Sequence, residues 1–198
     1  MALEKARPLL EQGTALREGS WTDEEHKELK QLQLLTFKPM LYAVNVSEAQ
    51  LQNGTWKEHV AKLPAGTHVV PICVKMESEL ASMSAEDKKE YLASVGQTES
   101  GLDQLIKEAY ALLGLITFLT TGETETRAWT VVAGAKAPQA AGVIHTDFEK
   151  NFIRAEVTNW QDIVQYGEAA CRERALTRTE GKEYLMKDGD TCFFKVGV

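Results

Sequence analysis

The sequence lacks long hydrophobic runs, a secretory signal and a cysteine motif. Its apolar stretches fall short of the roughly 20 residues that cross a bilayer, and the N-terminal segment MALEKARPLLEQG has no signal-peptide hydrophobic region or cleavage site. Three cysteines, Cys73, Cys171 and Cys192, are an odd number at spacings that match no metal motif. We therefore expect reduced, buried or incidental thiols in a cytoplasmic globular protein.

The sequence also has no phosphate-binding loop. Nucleoside triphosphates are held mainly by a G-x-x-x-x-G-K-[ST] loop, whose backbone cradles the phosphates while its hydroxyl holds Mg²⁺. The superficially similar segment Gly134-Ala-Lys136-Ala lacks the first glycine, the spacing and the hydroxyl. We therefore expect no nucleotide hydrolysis by this polypeptide alone. No nucleophile with a spaced base, and no metal constellation, is recognisable, so we predict no catalytic or metal-binding residue.

Acidic residues outnumber basic ones, 29 to 22, and give a net charge of −7. This excess excludes a protein that coats nucleic acid non-specifically. The charge is unevenly distributed, because 10 Lys/Arg face 12 Asp/Glu from Leu113 onward, whereas the preceding part has 12 against 17. The C-terminal part is therefore the better candidate for meeting a polyanion, through a local patch.

Two helices are predicted at the start of the chain. Apolar residues recur at helical spacing over Ala2–Glu18, interrupted by Pro8. Thr22 and Glu25 form a T-x-x-E capping box before the second helix. We expect the two helices, joined by residues 13–20, to pack as a hairpin.

A β-α-β-α order follows. The runs Lys38–Val44 and His68–Val74 are continuously apolar, which is typical of strands buried on both faces of a parallel sheet. Helices from Ser84 to about Val95 and from Ser100 to about Leu113 each begin with an S-x-x-D pattern. This segment is predicted to be part of an α/β domain.

The pattern changes after Gly114, where we place a domain boundary. A ββαβ…ββ order over about 80 residues favours a small β-grasp, ubiquitin-like domain. A final hairpin is predicted at Asp188-Gly189, a strong turn dipeptide. The predicted elements are strands Leu115–Thr120 and Ala128–Val132, a helix Ala137–Ile144, a strand Ile153–Thr158 in which Ile153, Ala155 and Val157 share one face, and hairpin strands Tyr184–Lys187 and Thr191–Val196.

Polar residues follow both apolar runs, as NVSE at positions 45–48 and as CVK at positions 73–75. Ligands of open α/β sheets bind beyond the carboxyl ends of the strands. An asparagine amide can pair with a purine edge, and a carboxylate can accept from an exocyclic amine. The alternative interpretation is a helix N-terminus capped by Ser47. The predicted contacts of a nucleotide base are Asn45, Val46, Glu48, Cys73 and Lys75.

The segment Arg127–Glu156 mixes small, aromatic and charged residues more densely than packing alone explains. We predict a recognition surface there, able to meet an RNA backbone or a protein edge. The alternative is structural, with Asp147 capping a turn, His145 bonded to the backbone and two phenylalanines in the core. The predicted partner-binding residues are Gln139, His145, Asp147, Lys150 and Arg154. A second basic cluster, Arg172, Arg174, Arg178 and Lys182, alternates with glutamates and is typical of a solvated face.

Over nearly its full length the chain resembles the C-terminal half of the YchF or Obg-like ATPases of the translation-factor GTPase class. The Asn-x-x-Glu at Asn45–Glu48 is similar to the variant base motif that this family links to a preference for ATP over GTP. The other matching pieces are Leu34–Pro39, Cys73–Glu77, Tyr110–Gly114, Arg127–Thr130, Ala137–Glu149 and Asp188–Asp190.

The resemblance implies a fold and a partner. Residues 1–36 would be the returning arm of a coiled-coil-like helical hairpin, residues 37–113 the C-terminal part of a P-loop-type α/β nucleotide domain, and residues 114–198 a β-grasp TGS domain. Full-length members use ATP and Mg²⁺ and bind ribosomes. We expect neither ligand on this chain, because the phosphate loop and magnesium-contacting segments are missing from it.

Two readings of the chain remain open. The first is the C-terminal region of a ribosome-associated ATPase, from an expressed fragment or an incomplete gene model, acting as a binding module. The second is a stand-alone TGS-containing regulatory protein. In either case a partial parallel sheet exposes strand edges and apolar faces, so rearrangement, disorder or self-association as a dimer is a further expectation for residues 1–113.

Overall fold

The computed structural model describes residues 2–64, 66–122 and 124–197. The chain divides into two compact units, Met1–Leu112 and Leu113–Val198. Among the described residues, no helix is long and apolar enough to cross a membrane.

The first unit begins with helix α1 (Ala2–Glu11), a 3-10 turn (Leu16–Glu18), helix α2 (Asp23–Gln31) and a second 3-10 turn (Leu35–Phe37). The predicted first helix lies within Ala2–Glu18 and ends at Glu11, just before the connector predicted for residues 13–20. Gly13 has a φ of +74°, and the amide of Thr14 donates to the carbonyl of Leu9 at 2.9 Å. This left-handed glycine closes the helix, as at many helix C-termini.

Helices α1 and α2 pack around a small apolar cluster of Ala2, Ala6, Leu16 and Leu29. The predicted capping box of α2 is confirmed, since the Glu25 amide donates to Thr22 Oγ1 at 3.3 Å and the Thr22 amide donates to Glu25 Oε2 at 3.0 Å. Lys5 Nζ also lies 3.0 Å from Glu25 Oε2 and links the two helices. These neighbours lower the pKa of Glu25, first through the Thr22 amide and then through Lys5.

The rest of the first unit is built on two parallel strands. Strand β1 (Leu41–Asn45) pairs with β2 (His68–Ile72) in a two-stranded sheet, with Asn45 opposite Ile72. The prediction that both strands are buried on both faces is wrong: Val70 is the buried residue, and the others are half-buried or exposed. The flanking helices are α3 (Glu48–Asn53), α4 (Trp56–Val60), α5 (Val74–Ala81), α6 (Ala85–Ser94) and α7 (Gly101–Leu113).

The predicted starts of α6 and α7 are confirmed. Ser84 Oγ accepts from the Asp87 amide at 3.2 Å, and Ser100 Oγ accepts from the Asp103 amide at 3.0 Å. A carboxylate from α5 adds a second cap, because Glu77 Oε1 accepts from the Gly101 amide at 2.7 Å. Glu77 thereby fastens α7 to the helix that follows β2.

The second unit is a five-stranded sheet in the order β4-β3-β7-β5-β6. Strands β3 and β7 run parallel, and the other neighbouring pairs are antiparallel. Its core joins the inner face of the sheet to α8. The elements are β3 (Leu115–Thr121), β4 (Thr126–Val132), α8 (Ala137–Ile144), α9 (Thr146–Lys150), β5 (Phe152–Asn159), α10 (Trp160–Tyr166), α11 (Glu168–Glu173), β6 (Arg178–Glu180) and β7 (Asp190–Val196).

The predicted hairpin at Asp188-Gly189 is wrong. Strand β7 follows that turn, but it lies between β3 and β5, so both of its edges are already paired. The preceding segment contacts the start of α8 instead. There the Ala137 amide donates to the Tyr184 carbonyl, and the Met186 amide donates to the Ala135 carbonyl, each at 2.9 Å.

The predicted alternation in β5 holds for Ala155 and Val157, which are buried, and fails for Ile153. A register irregularity lies between Phe152 and Arg154, as in a β-bulge. Phe152 therefore enters the core, and Ile153 is 57% exposed.

Gly189 lies at a crowded point of the second unit. It has a φ of +79°, its amide donates to the Thr117 carbonyl at 2.8 Å, and its carbonyl accepts from the Trp160 amide at 3.0 Å. A Cβ atom here would lie 2.6 Å from Trp160 Cδ1. The position therefore requires glycine for both its backbone conformation and its space.

We expect Gly189→Ala to lower the free energy of unfolding by about 2–4 kcal/mol, because it adds left-handed strain to overlap with the indole ring. Gly181→Ala is the matched control, since no atom lies within 4 Å of its Cβ position; we expect a change below about 0.5 kcal/mol. Urea unfolding of both variants measures the difference, and equal effects would contradict the assignment.

Candidate functional site

The predicted base contacts lie at the carboxyl ends of β1 and β2. Asn45 is the exposed last residue of β1, and Glu48 opens α3. Ser47 caps that helix, because its Oγ accepts from the Gln50 amide at 3.3 Å and the Gln50 side chain accepts from the Ser47 amide at 2.9 Å. The capping interpretation is therefore confirmed. It leaves the Asn45 amide on the surface beside the cap.

Lys75 and Glu48 come together although 27 residues separate them. Lys75 lies in the first turn of α5 rather than in a loop, with Nζ 3.3 Å from Glu48 Oε1 and 3.8 Å from Glu79 Oε1. The hydrogen bond to Glu48, followed by the charges of Glu48 and Glu79, raises the pKa of Lys75. The Lys75 ammonium is thus paired with the first residue of the helix that follows β1.

Tyr91 and Glu79 extend this cluster and were not predicted. The Tyr91 hydroxyl donates to Glu79 Oε2 at 3.0 Å, and this bond raises the pKa of Tyr91. The (i, i+4) spacing of Lys75 and Glu79 was a readable signal for their pairing on one helix face. No local signal connects Tyr91 to them.

Val46 and Cys73 have buried side chains in the same unit. Both belong to an apolar cluster with Met76, Leu80 and Leu92. The Val46 amide donates to the Ile72 carbonyl at 2.9 Å. Their side chains are therefore core residues, and a ligand at this edge would reach only their backbone.

Gln139 and His145 act as helix caps in the second unit. Gln139 Oε1 accepts from the Lys136 amide at 2.7 Å at the start of α8. His145 Nδ1 accepts from the Asp147 amide at 3.2 Å at the start of α9, and lies 3.6 Å from Asp147 Oδ2. The structural interpretation thus holds for His145. Asp147 lies in the first turn of α9, where its negative charge interacts favourably with the helix dipole.

Lys150 and Arg154 are the exposed cations of the predicted surface. Lys150 ends α9, and Arg154 lies on β5 opposite Lys195. Neither forms an ion pair with another described residue. The aromatic residues nearby serve the core, since Phe152 is buried and Phe148 and Trp129 pack against it.

The second basic cluster is mostly paired, as expected of a solvated face. Arg178 Nε lies 3.2 Å from Glu180 Oε1, and Arg174 stacks 4.3 Å from the centre of the Tyr166 ring. Lys182 is exposed. Arg172 is only loosely paired, at 4.0 Å from Glu156 Oε2.

A buried carboxylate near Arg178 was not predicted. Asp190 is 3% exposed, and its Oδ2 accepts from the Tyr184 hydroxyl and from the Lys187 amide, both at 2.9 Å. Burial, followed by the Asp190 bond, raises the pKa of Tyr184 to about 12. No group of three His, Cys, Asp or Glu side chains among the described residues could hold a metal ion.

Comparison with known proteins relates this geometry to a family. The family model YchF-GTPase_C, described as "Protein of unknown function (DUF933)", matches residues 115–197. Ribosome-binding ATPase YchF of Bacillus subtilis (strain 168) is 46% identical over 202 residues, 99% of this chain and 55% of that protein. The chain matches the C-terminal half of YchF-family proteins. Obg-like ATPase 1 of Gallus gallus is 44% identical over 182 residues, 88% of this chain and 46% of that protein.

The fold of the YchF family agrees with that of this chain. The structure of the Schizosaccharomyces pombe YchF GTPase has a TM-score of 0.84 and 37% identity, over 98% of this chain and 53% of that chain. The chain thus spans about half the length of these relatives and corresponds to their C-terminal half. The resemblance read from the sequence is confirmed, together with its mixed α/β character.

Proposed function

We propose that this chain is the C-terminal region of a ribosome-associated ATPase and that it acts as a binding module. The observation that carries the proposal is the match over 99% of the chain to proteins named ribosome-binding ATPase. Lys150 and Arg154, which are exposed and form no ion pair with another described residue, supply a contact surface for ribosomal RNA or protein.

The proposal assigns a role to each part of the chain. Residues 1–36 are the helical arm, residues 37–113 are part of a P-loop-type nucleotide domain, and residues 114–198 are a β-grasp TGS domain. The central, doubly paired β7 and the packing of α8 on one face of the sheet support the β-grasp assignment.

The strand ends of the first unit are proposed to contact a nucleotide base in the longer protein. Asn45 supplies an exposed amide, and Glu48 and Lys75 form a charged pair beside it. The binding of ATP and Mg²⁺ would then depend on phosphate-binding segments that are not among these 198 residues. The same exposed strands are proposed to allow self-association, in a cytoplasmic protein.

We expect this chain alone neither to bind Mg²⁺–ATP with a micromolar Kd nor to hydrolyse it, because the phosphates supply most of the binding energy. Isothermal titration calorimetry and a phosphate-release assay measure the two properties, with a buffer blank as control. Saturable micromolar binding, or turnover above the blank, would contradict the binding-module assignment.

We expect the 198-residue chain to co-sediment with ribosomes, and Lys150→Glu combined with Arg154→Glu to weaken this binding about tenfold or more. Each substitution replaces a cation that can meet phosphate with a repelled anion. The bound fraction in the ribosome pellet, titrated against ribosome concentration, gives the apparent Kd.

Lys182→Glu combined with Lys187→Glu is the matched control, because it makes the same change in net charge at two other exposed lysines of the second unit. We expect it to leave the apparent Kd within about twofold of the parent. Equal binding by both double variants would show that Lys150 and Arg154 are not part of the contact surface.

A further inference from the structure

A small pocket lies on the outer face of the second unit's sheet. Its volume is about 50 Å³. Threonines from three strands and the approach to a fourth form much of its lining, and helices α10 and α11 close one side through Ile163, Glu168 and Arg172. The lining threonines are Thr121, Thr158, Thr177 and Thr191.

The position of these threonines follows from strand alternation. Val157 and Cys192 face the core and lie opposite each other, so their neighbours Thr158 and Thr191 form the next opposite pair on the other face. Their side chains are therefore presented to the space under α10 and α11. Valine would give the same shape with greater apolar burial, so the hydroxyls are not explained by packing.

One of these hydroxyls has no protein partner. Thr191 is 7% exposed, and among the described residues its Oγ1 has no hydrogen-bond partner. Thr158 Oγ1 and Thr177 Oγ1, by contrast, lie 2.9 Å apart and bond to each other. Unsatisfied buried hydroxyls are costly. Thr191 lines the pocket, so a ligand there that reached this hydroxyl would remove the cost.

Charges of both signs surround this hydroxyl. Arg172 and Glu156 line the pocket but lie 4.0 Å apart, too far for a hydrogen bond. Glu168 adds a second carboxylate. A simple anion would meet two carboxylates here, and a simple amine would meet the guanidinium. A zwitterion satisfies both signs, since the arginine fork suits a carboxylate and the glutamates suit an ammonium.

The volume limits the size of that zwitterion. A water needs roughly 10–15 Å³ of such space, so the pocket holds about four groups of water size. Four of the six heavy atoms of alanine belong to such groups, namely two carboxylate oxygens, the ammonium nitrogen and the methyl carbon, and the other two are the carbons that join them. Ile163 and Phe193 supply apolar lining for the methyl group.

We propose that this pocket binds a small free α-amino acid of the size of glycine, alanine or serine. The α-carboxylate pairs with Arg172, and the α-ammonium pairs with Glu156 and donates to Thr191 Oγ1. This site is separate from the proposed base contacts and does not depend on ribosome binding. It gives the second unit a ligand through which amino-acid supply can act on it.

The test is a titration of the ¹⁵N-labelled 198-residue chain with L-alanine, followed by ¹H–¹⁵N correlation spectra. We expect saturable shifts of the amides of Thr158, Thr191 and Cys192, with a Kd of about 0.1–1 mM, as suits a ligand of six heavy atoms. Sodium acetate and methylammonium chloride are tested separately, and each is expected to give no saturable shift at the same concentrations.

Two variants locate the binding. Arg172→Gln is expected to weaken alanine binding about tenfold or more, because it removes a charge-assisted bond. Arg174→Gln is its control on the same helix, since Arg174 stacks on Tyr166 and does not line the pocket. Thr191→Val is expected to weaken binding about 3–10-fold and to raise the thermal midpoint. Thr179→Val, outside the pocket, is expected to change neither.

Several results would overturn the proposal. These are the absence of saturable shifts up to about 20 mM alanine, shifts of the same size with acetate or methylammonium alone, and an unchanged Kd in Arg172→Gln. Arg172 is exposed, so its variant keeps the test decisive even where Thr191→Val alters the fold. Ribosome co-sedimentation of Arg172→Gln at parental affinity would leave the proposed function intact in each of these cases.

Discussion

The second unit depends on one turn, Asp188-Gly189-Asp190. Asp188 Oδ1 accepts from the Thr117 amide at 2.8 Å, and the Gly189 amide donates to the Thr117 carbonyl at 2.8 Å, so the turn is fastened to β3 on both sides. The Gly189 carbonyl also accepts a hydrogen bond from the Trp160 amide at the start of α10. The Asp190 carboxylate accepts hydrogen bonds from the Tyr184 hydroxyl and the Lys187 amide, and Asp190 is the first residue of β7. Because β7 is the central strand, this turn aligns the strands that form the core and the outer pocket.

Much of this arrangement was predictable from local patterns. The capping boxes at Thr22 and Ser47, the S-x-x-D starts at Ser84 and Ser100, and the helix Ala137–Ile144 depend on residues within one turn of each other, and the structure has them. The errors arose where pairing is non-local. Asp188-Gly189 is a good hairpin dipeptide, yet the strand after it inserts between β3 and β5. The bulge at Ile153 likewise turns Phe152 inward and Ile153 outward, and nothing in the local sequence predicts it.

The candidate sites differ in what the sequence could specify. The chemistry of their side chains predicted Asn45, Glu48 and Lys75 as contacts of a nucleotide base. The pairing of the two parallel strands brings Glu48 and Lys75 into contact. Val46 and Cys73 are core residues, because the same parallel pairing turns their side chains into the cluster beneath. In the second unit, Gln139 and His145 cap helices, which leaves Lys150 and Arg154 as the cations of the predicted surface that form no ion pair with another described residue. The threonine pocket joins residues from Thr121 to Thr191, so no local window could have predicted it.

Amide hydrogen exchange of residues 113–198 expressed alone tests whether this unit is self-contained and is held by the turn at Gly189. We expect the amides of β3, β5 and β7 to exchange at rates within a factor of about three of those in the 198-residue chain, with slow exchange at Gly189 and Trp160. Rapid exchange across β7 in the isolated unit would contradict it.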